Sequence, residues 1–314
     1  MDAPSAVADT YVNTTGDLTS NGGLVASVLS DLVLEQLYDP TDLTALMSRI
    51  PWSPSGSKTL DVTQDAIPGA YASQAETGAG ITDSAYTTSE FSLTPALYAR
   101  QYSITDLVPV AGSVIDVERV AANLVAGVGL TMTDLLCALF GSLSNSVGTS
   151  GVDLSVSDFY DAMYQLNSSN VSGPTFAAVL HPTQINDLLS SLRAEAGAVQ
   201  FIDATAEMLA SKGPGYKGRW LNVDIFQSDS VGTANAGADR AGAMFGQGAF
   251  AYTMADPRVI QGHIPSDNIL MANELMLLEL SRDASNFKSA LIGQIYPAVV
   301  EAEDARGVKI VTDA

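Results

Sequence analysis

The stretch from Ser113 to Leu143 constrains this chain more than any other. It carries apolar side chains at Val114, Val117, Ala121, Leu124, Val128, Met132, Leu135, Leu139 and Leu143. Steps of three and four residues draw one stripe along the face of a helix. Ser113 and Asp116 stand in the S-x-x-D spacing that satisfies free amides at a helix start. Unbroken, such a helix is roughly 45 Å long at about 1.5 Å per residue. A rod of that length either crosses a membrane or forms the spine of an elongated subunit. From Val120 to Phe140 the polar residues are Asn123, Thr131, Thr133 and Asp134. Asp134 inside a bilayer costs about 2.5–3.5 kcal/mol, and no Lys/Arg cluster follows to anchor the span. The sequence therefore predicts an amphipathic spine packed against sheet, with no membrane contact. Gly127 and Gly129 lie near its middle, where each Gly costs about 1 kcal/mol relative to Ala. Two reasons for them stand open: close approach of another backbone, or a point where the helix bends.

Of 314 residues, 46% are hydrophobic and only 16% charged. A chain so poor in charge hides much of its surface in a deep core or against copies of itself. The charge it has is one-sided, with 14 Lys plus Arg against 35 Asp plus Glu, a net −21. Such a balance disfavours wrapping nucleic acid, because no basic face can form to release its counterions. Cys137 is the only cysteine, which rules out an intrachain disulfide and leaves a small buried residue as its default role. The first residues show neither a basic region nor the apolar core of a secretory signal.

Residues 1–54 read as a polar arm followed by short helices: an apolar run with Val25, Val28, Leu29, Leu32, Leu34 and Leu37, then Leu43, Leu46 and Met47. In residues 55–95 the texture changes. Leu60 and Val62 alternate with Thr59, Asp61 and Thr63, and Phe91 and Leu93 alternate with Glu90, Ser92 and Thr94. Those are two half-buried strands joined by a Gly-containing tip, with Gly69, Gly78 and Gly80. A two-stranded hairpin with so little apolar surface does not fold alone. It must lie on something else, and Lys58, Leu60, Val62, Phe91 and Leu93 are the candidate contact residues with a neighbouring subunit. Tyr98, Arg100, Tyr102 and Ile104 share one face of a further strand that leads to the spine.

After Leu143 a loop marks a boundary. Ser155 and Asp158 then cap a helix bearing Phe159, Met163 and Leu166. Thr175–Leu180 reads as a buried strand, and His181-Pro182 opens a helix with Ile185, Leu188, Leu189 and Leu192 inward. Gly213–Gly218 reads as a turn before a strand in which Leu221, Val223 and Ile225 alternate with Asn222 and Asp224. Leu275–Leu280 is apolar enough for a strand buried on both faces. Val299-Val300 and Val308–Val311 close the chain. Helices and strands mix without βαβ regularity, so the fold class is α+β.

Chemistry is absent at each place examined. Two histidines, His181 and His263, cannot form a multi-His metal site, and no cofactor is predicted. Gly213-Pro214-Gly215-Tyr216-Lys217-Gly218 matches G-x-G-x-x-G literally but contains Pro and precedes a strand, so the phosphate-binding mechanics are missing. His181 reads as a helix cap rather than a base. An acidic soluble enzyme with an unrecognised carboxylate pair is the distant alternative.

The order of these pieces resembles the tailed-phage major capsid protein, whose fold is shared with encapsulin shells. The phrases that carry the resemblance are Ala178-Val179-Leu180-His181-Pro182, Val223-Asp224-Ile225-Phe226-Gln227-Ser228-Asp229, Ala243-Met244-Phe245-Gly246 and Gly307-Val308-Lys309-Ile310-Val311. The resemblance implies an N-terminal arm and helices at 1–54 and an extended loop at 55–95 lying over an adjacent subunit. It implies a peripheral domain at 96–143 holding the spine, an axial domain at 144–267 and peripheral return strands at 268–314. It implies self-assembly into hexamers and pentamers of an icosahedral shell that encloses double-stranded DNA, with a separate scaffolding protein, a portal and a possible decoration protein as partners. The chain would then reside in the virion after assembly in the host cytoplasm, and it would not be an enzyme. An encapsulin-like compartment is the near alternative. Some members of the family cross-link the loop through a lysine; Lys58, the only lysine before Lys212, lies at the loop's base and reads as an ordinary solvated lysine.

Overall fold

The computed structural model describes residues 43–53, 56–65, 88–106, 117–168, 176–194, 201–213, 215–263, 269–272 and 275–313. The arm, the apolar run at 25–37, the hairpin tip and the Ser113/Asp116 cap lie outside these residues. A short helical turn at Leu43–Leu46 precedes β1 (Ser48–Arg49), β2 (Leu60–Asp65), β3 (Thr88–Leu93) and β4 (Tyr98–Thr105). The spine α1 (Val117–Ala138) is followed by β5 (Ser146–Val147), α2 (Val156–Ser168), β6 (Phe176–Leu180) and α3 (Pro182–Ala194). Next come β7 (Ile202–Asp203), α4 (Ala206–Lys212), β8 (Tyr216–Trp220), β9 (Val223–Gln227), β10 (Thr233–Ala234), β11 (Asp239–Phe245) and β12 (Phe250–Met254). The chain continues through α5 (Arg258–His263), β13 (Ile269–Ala272), β14 (Leu277–Asp283), β15 (Lys288–Ile295), β16 (Pro297–Glu301) and β17 (Gly307–Asp313).

Helices and sheets are mixed, as an α+β class requires. An eight-stranded sheet runs β5-β17-β11-β6-β9-β8-β7, with β10 paired to β11. A four-stranded sheet runs β13-β14-β15-β4, a three-stranded one β1-β12-β16, and β2 pairs with β3 alone. The large sheet buries its apolar face against α2 and α3: Phe159, Leu166, Ile185 and Leu188 meet Trp220, Val223 and Ile225. α2 starts where expected. Ser155 Oγ accepts from the Asp158 amide (3.2 Å), and Asp158 Oδ2 accepts from the Ser155 amide (3.0 Å), the reciprocal bonds of a capping box. α3 repeats the device with other residues. Thr183 N donates to His181 Nδ1 (3.4 Å), and His181 N donates to Gln184 Oε1 (3.1 Å).

Several expectations change. The described spine ends at Ala138 and gives way to a tighter turn at Phe140–Ser142, so the rod is shorter than 113–143. Its stripe also rotates. Leu124, Val125 and Val128 pack on Leu278, Leu291 and Ile295 of the four-stranded sheet. Met132, Leu136, Cys137 and Phe140 pack instead with Phe245 and Phe250. Leu136 and Phe140 thus take the places expected for Leu135 and Leu139, which are half-buried. One helix that serves three sheets must present slightly different faces along its length. Asn123–Ser142 is apolar enough to cross a membrane by length and composition, and it forms the packed bridge between those sheets.

Gly213–Gly218 is not only a turn, because β8 begins inside it. The reversal falls at Leu221 and Asn222, both with positive φ (49° and 67°). That is the two-residue hairpin geometry whose twist matches the flanking strands. The Leu275–Leu280 run is buried only at Met276–Leu278, and its strand continues to Asp283 with half-exposed residues. Finally, β17 does not join the return strands beside the spine. It lies between β5 and β11 in the eight-stranded sheet, with Met244 opposite Val308 and Gly242 opposite Ile310. Gly148, at φ +95°, permits the parallel β5–β17 contact, since a β-carbon there would stand 2.2 Å from the Val311 carbonyl oxygen.

Candidate assembly interface

Four of the five residues expected to make contacts share one side of the β2–β3 hairpin. In the β2–β3 register Leu60 faces Leu93 and Val62 faces Phe91, so these four share a side of the hairpin. The opposite side is polar and exposed, with Ser92 Oγ donating to Asp61 Oδ1 (2.7 Å). Burial divides the apolar set. Leu93 is 1% exposed, so it belongs to its own subunit's interior and is not available for a contact between copies. Leu60, Val62 and Phe91 are half-buried, and Lys58 is exposed in the bend before β2. The hairpin is tied to its own subunit at both ends of its described length: past its base Ala96 N donates to Pro297 O (3.1 Å), and toward the tip Gln64 Nε2, on the Leu60/Val62 side, donates to Glu303 Oε2 (3.2 Å).

Gly127 of the spine has different surroundings from those a tight crossing would give. A β-carbon on Gly127 would meet only Arg100 Nη1, at 3.8 Å, an ordinary contact. Thr131 Oγ1 donates to the Gly127 carbonyl (2.8 Å), a back-bond of the kind that bends helices. Close approach between spine and sheet is instead provided by Gly293 on β15, where a β-carbon would fall 2.4 Å from Met276 Cε. Sequence pattern alone did not single out Gly293.

Beside these residues lies an open cavity of about 220 Å³ between α1 and the four-stranded sheet, lined among others by Tyr98, Arg100, Leu124, Gly127, Val128 and Ile295. The Arg100 guanidinium lies 5.4 Å from the Tyr102 ring centroid. Sequence reading placed Tyr98, Arg100 and Tyr102 on one strand face but missed the cavity, which forms only when the spine crosses that face.

The residues weighed for catalysis are engaged otherwise. His181 caps α3, and burial, then Arg240, hold its imidazole below the usual value. Burial pushes the Cys137 thiol up to about 12, a protonated, inert core residue. Asp224 is buried between Lys212 Nζ (2.6 Å), Arg219 Nε (2.9 Å) and the Tyr216 hydroxyl (3.2 Å). Burial alone would raise its carboxyl, but hydrogen bonds from Arg219 and Lys212 outweigh this and keep it below the ordinary range. Asp239, with no exposed surface, accepts from Gly151 N (2.9 Å) and from Asn235. Each carboxylate is consumed by structure. Among the described residues no group of three or more His, Cys, Asp or Glu is placed to hold a metal ion.

No protein-family model and no curated protein matches the sequence. Solved structures do match the fold. The head structure of Helicobacter pylori bacteriophage KHP40 aligns with TM-score 0.59 and 9% identity over 88% of this chain and 91% of that one. The holo-SrpI encapsulin complex from Synechococcus elongatus aligns with TM-score 0.56 and 11% identity over 86% of both chains. A structure from Mycobacterium phage Che8 aligns with TM-score 0.54 and 13% identity over 81% of this chain and 84% of that one. Spine, hairpin, split sheets and mixed α+β body therefore make up the fold that phage capsid proteins share with encapsulin shells.

Proposed function

We propose that this chain is the major capsid protein of a tailed phage, assembling as hexamers and pentamers into an icosahedral shell around double-stranded DNA. The observation that carries the reading is a shell-protein fold spanning 88% of this chain and 91% of a phage head protein. The half-exposed apolar hairpin adds to it, since such a ribbon gains stability by lying on a neighbour. A net charge of −21 suits a container for DNA, because a basic inner wall would trap the polymer as it fills the shell. In this reading 96–143 and the return strands from 268 to β16 are the peripheral domain. Residues 144–267, with β17, are the axial body, and 55–95 the extended loop. A separate scaffolding protein, a portal and a decoration protein are the expected partners, the virion is its location after assembly in the host cytoplasm, and no catalytic step belongs to the chain.

A second reading, an encapsulin-like compartment, is favoured by the comparable likeness to the Synechococcus encapsulin. Electron microscopy of particles purified from cells making the chain with its neighbouring gene products tests both. Shells containing nuclease-protected DNA support the capsid reading, and shells filled with a protein cargo support the second. A protein that remains monomeric in size exclusion at every concentration overturns both.

A further inference from the structure

Several arginines are paired with carboxylates: Arg219 with Asp224, Arg258 with Asp256, Arg282 with Asp106 and Arg306 with Glu303. Arg100 is not. Among the described residues its guanidinium meets the Tyr102 ring and no hydrogen-bond acceptor. Acidic residues outnumber basic ones by 35 to 14, so this cation is kept from an anion by its place in the fold.

Two glycines make that place. The β4–β15 register sets Arg100 opposite Gly293, with the pairs Tyr98/Ile295 and Tyr102/Leu291 flanking it on the same face. The spine crosses this face at Gly127, where a β-carbon would lie 3.8 Å from Arg100 Nη1. Met276 Cε lies over Gly293, but nothing from the helix fills the space beside Gly127. The result is the open cavity of about 220 Å³, walled by Leu124, Val128 and Ile295, with Arg100 and Tyr98 in its lining.

Apolar walls and one free fork of N–H donors select a ligand by its chemistry. Parallel donors of a guanidinium match the two oxygens of a carboxylate, and that attraction strengthens beside low-dielectric walls. The walls themselves reward only burial of apolar surface. Size narrows the choice further. Drug-sized ligands occupy about 300–1,000 Å³, whereas a cavity of about 150 Å³ already holds benzene. One ring, or a short alkyl chain, bearing a single carboxylate falls between these limits.

We infer that the cavity between α1 and the four-stranded sheet binds a small organic carboxylate, its apolar body against Leu124, Val128 and Ile295 and its carboxylate on Arg100. The inference goes beyond the shell reading and does not depend on it, since every wall of the site comes from one chain. A ligand there touches α1, β4 and β15 at once, so it stabilises the folded chain by mass action.

The probe is 3-phenylpropanoate, with its uncharged amide for comparison, titrated calorimetrically into the purified chain. The carboxylate should bind with a Kd of about 1 mM or below, the range open to a ligand of so few atoms. The amide should bind about tenfold more weakly or worse, for want of the charge-assisted pair. Arg100→Gln should bring the carboxylate down to the amide's affinity with little change in Tm, because Arg100 is exposed. Gly127→Met fills the cavity from the helix side and should abolish binding of both compounds, with Tm unchanged or higher. The amide contrast and Arg100→Gln decide the matter even where Gly127→Met folds poorly. No binding of the carboxylate, equal affinity for the two compounds, or undiminished affinity in either folded variant overturns the inference. Binding to the free chain that is lost in assembled particles would show that a neighbouring copy fills the cavity, and also overturns it.

Discussion

The eight-stranded body and the spine-side sheet are built from the same kinds of residue, yet one is closed and the other open. In the body a fully buried amide side chain finds its partners inside. Gln184, with no exposed surface, donates from Nε2 to Arg240 O (3.2 Å), Ile310 O (3.2 Å) and Thr312 Oγ1 (2.8 Å), tying α3 to β11 and β17. Gly242 makes room for it, since a β-carbon there would lie 2.7 Å from Gln184 Oε1. On the spine side, among the described residues, β4 pairs on one edge only and a cavity stays open beside it. The two halves thus differ in how completely the described residues satisfy them.

The largest effect expected from that division comes from removing residues 66–84. The subunit without them should remain soluble and folded while stable shells vanish from micrographs. Equally stable particles from the deletion would erase the distinction between the halves. Next is Gln184→Ala, which leaves several buried groups without partners at about 1–3 kcal/mol each. We expect a loss of about 3 kcal/mol, or roughly 10 °C in Tm for a chain of this size. A change under about 1 kcal/mol would mean the body tolerates unpaired polar groups, contrary to its description as closed.

Acid sensitivity gives a smaller test. The Asp224 carboxyl is depressed in the folded chain, so its contribution is fully present above the unfolded value near about 3.9 and is lost as pH falls through the folded one. Asp224→Asn should therefore flatten the acid limb of a Tm-against-pH curve below about pH 4, relative to wild type. An unchanged acid limb would remove Asp224 from the account. The smallest effect concerns the open half. Ala fits at Gly127, so Gly127→Ala/Gly129→Ala should stabilise the isolated subunit, by about 1 kcal/mol for each residue. If compliance is why the glycines are there, the same variant should slow conversion of precursor shells to mature ones. A destabilised variant that makes no precursor would restore close packing as the reason.

Local signals were legible. The Ser155/Asp158 cap, Pro182 at the first turn of α3 and the alternation in β2 and β3 each depend on residues within a few positions, and each forms as read. Properties that depend on what lies opposite were not. Asp224 looked like the outward residue of an alternating strand but is buried, because Lys212 and Arg219 arrive from neighbouring elements to neutralise it. The spine's stripe was read as one face, since nothing in its own sequence announces a second sheet. The cavity and the open edge of β4 were invisible for the same reason: both are defined by the arrangement of elements. The hairpin was half legible: Leu60, Val62, Phe91 and Leu93 share one side as the alternation predicts, but Leu93 is buried within the chain.

The position of β17 has a consequence in time. Asn145 Nδ2 donates to the carbonyl of Gly307, 162 residues away, and β17 fills the gap between β5 and β11. The large sheet therefore cannot close until the ribosome has passed β17, and contacts this distant in sequence form slowly. Until then β11 has a bare flank and the body is incomplete. The spine-side edge is synthesised early, but a partner arriving at that stage would find a subunit unable to hold its shape. Late closure acts as a clock that places folding before association.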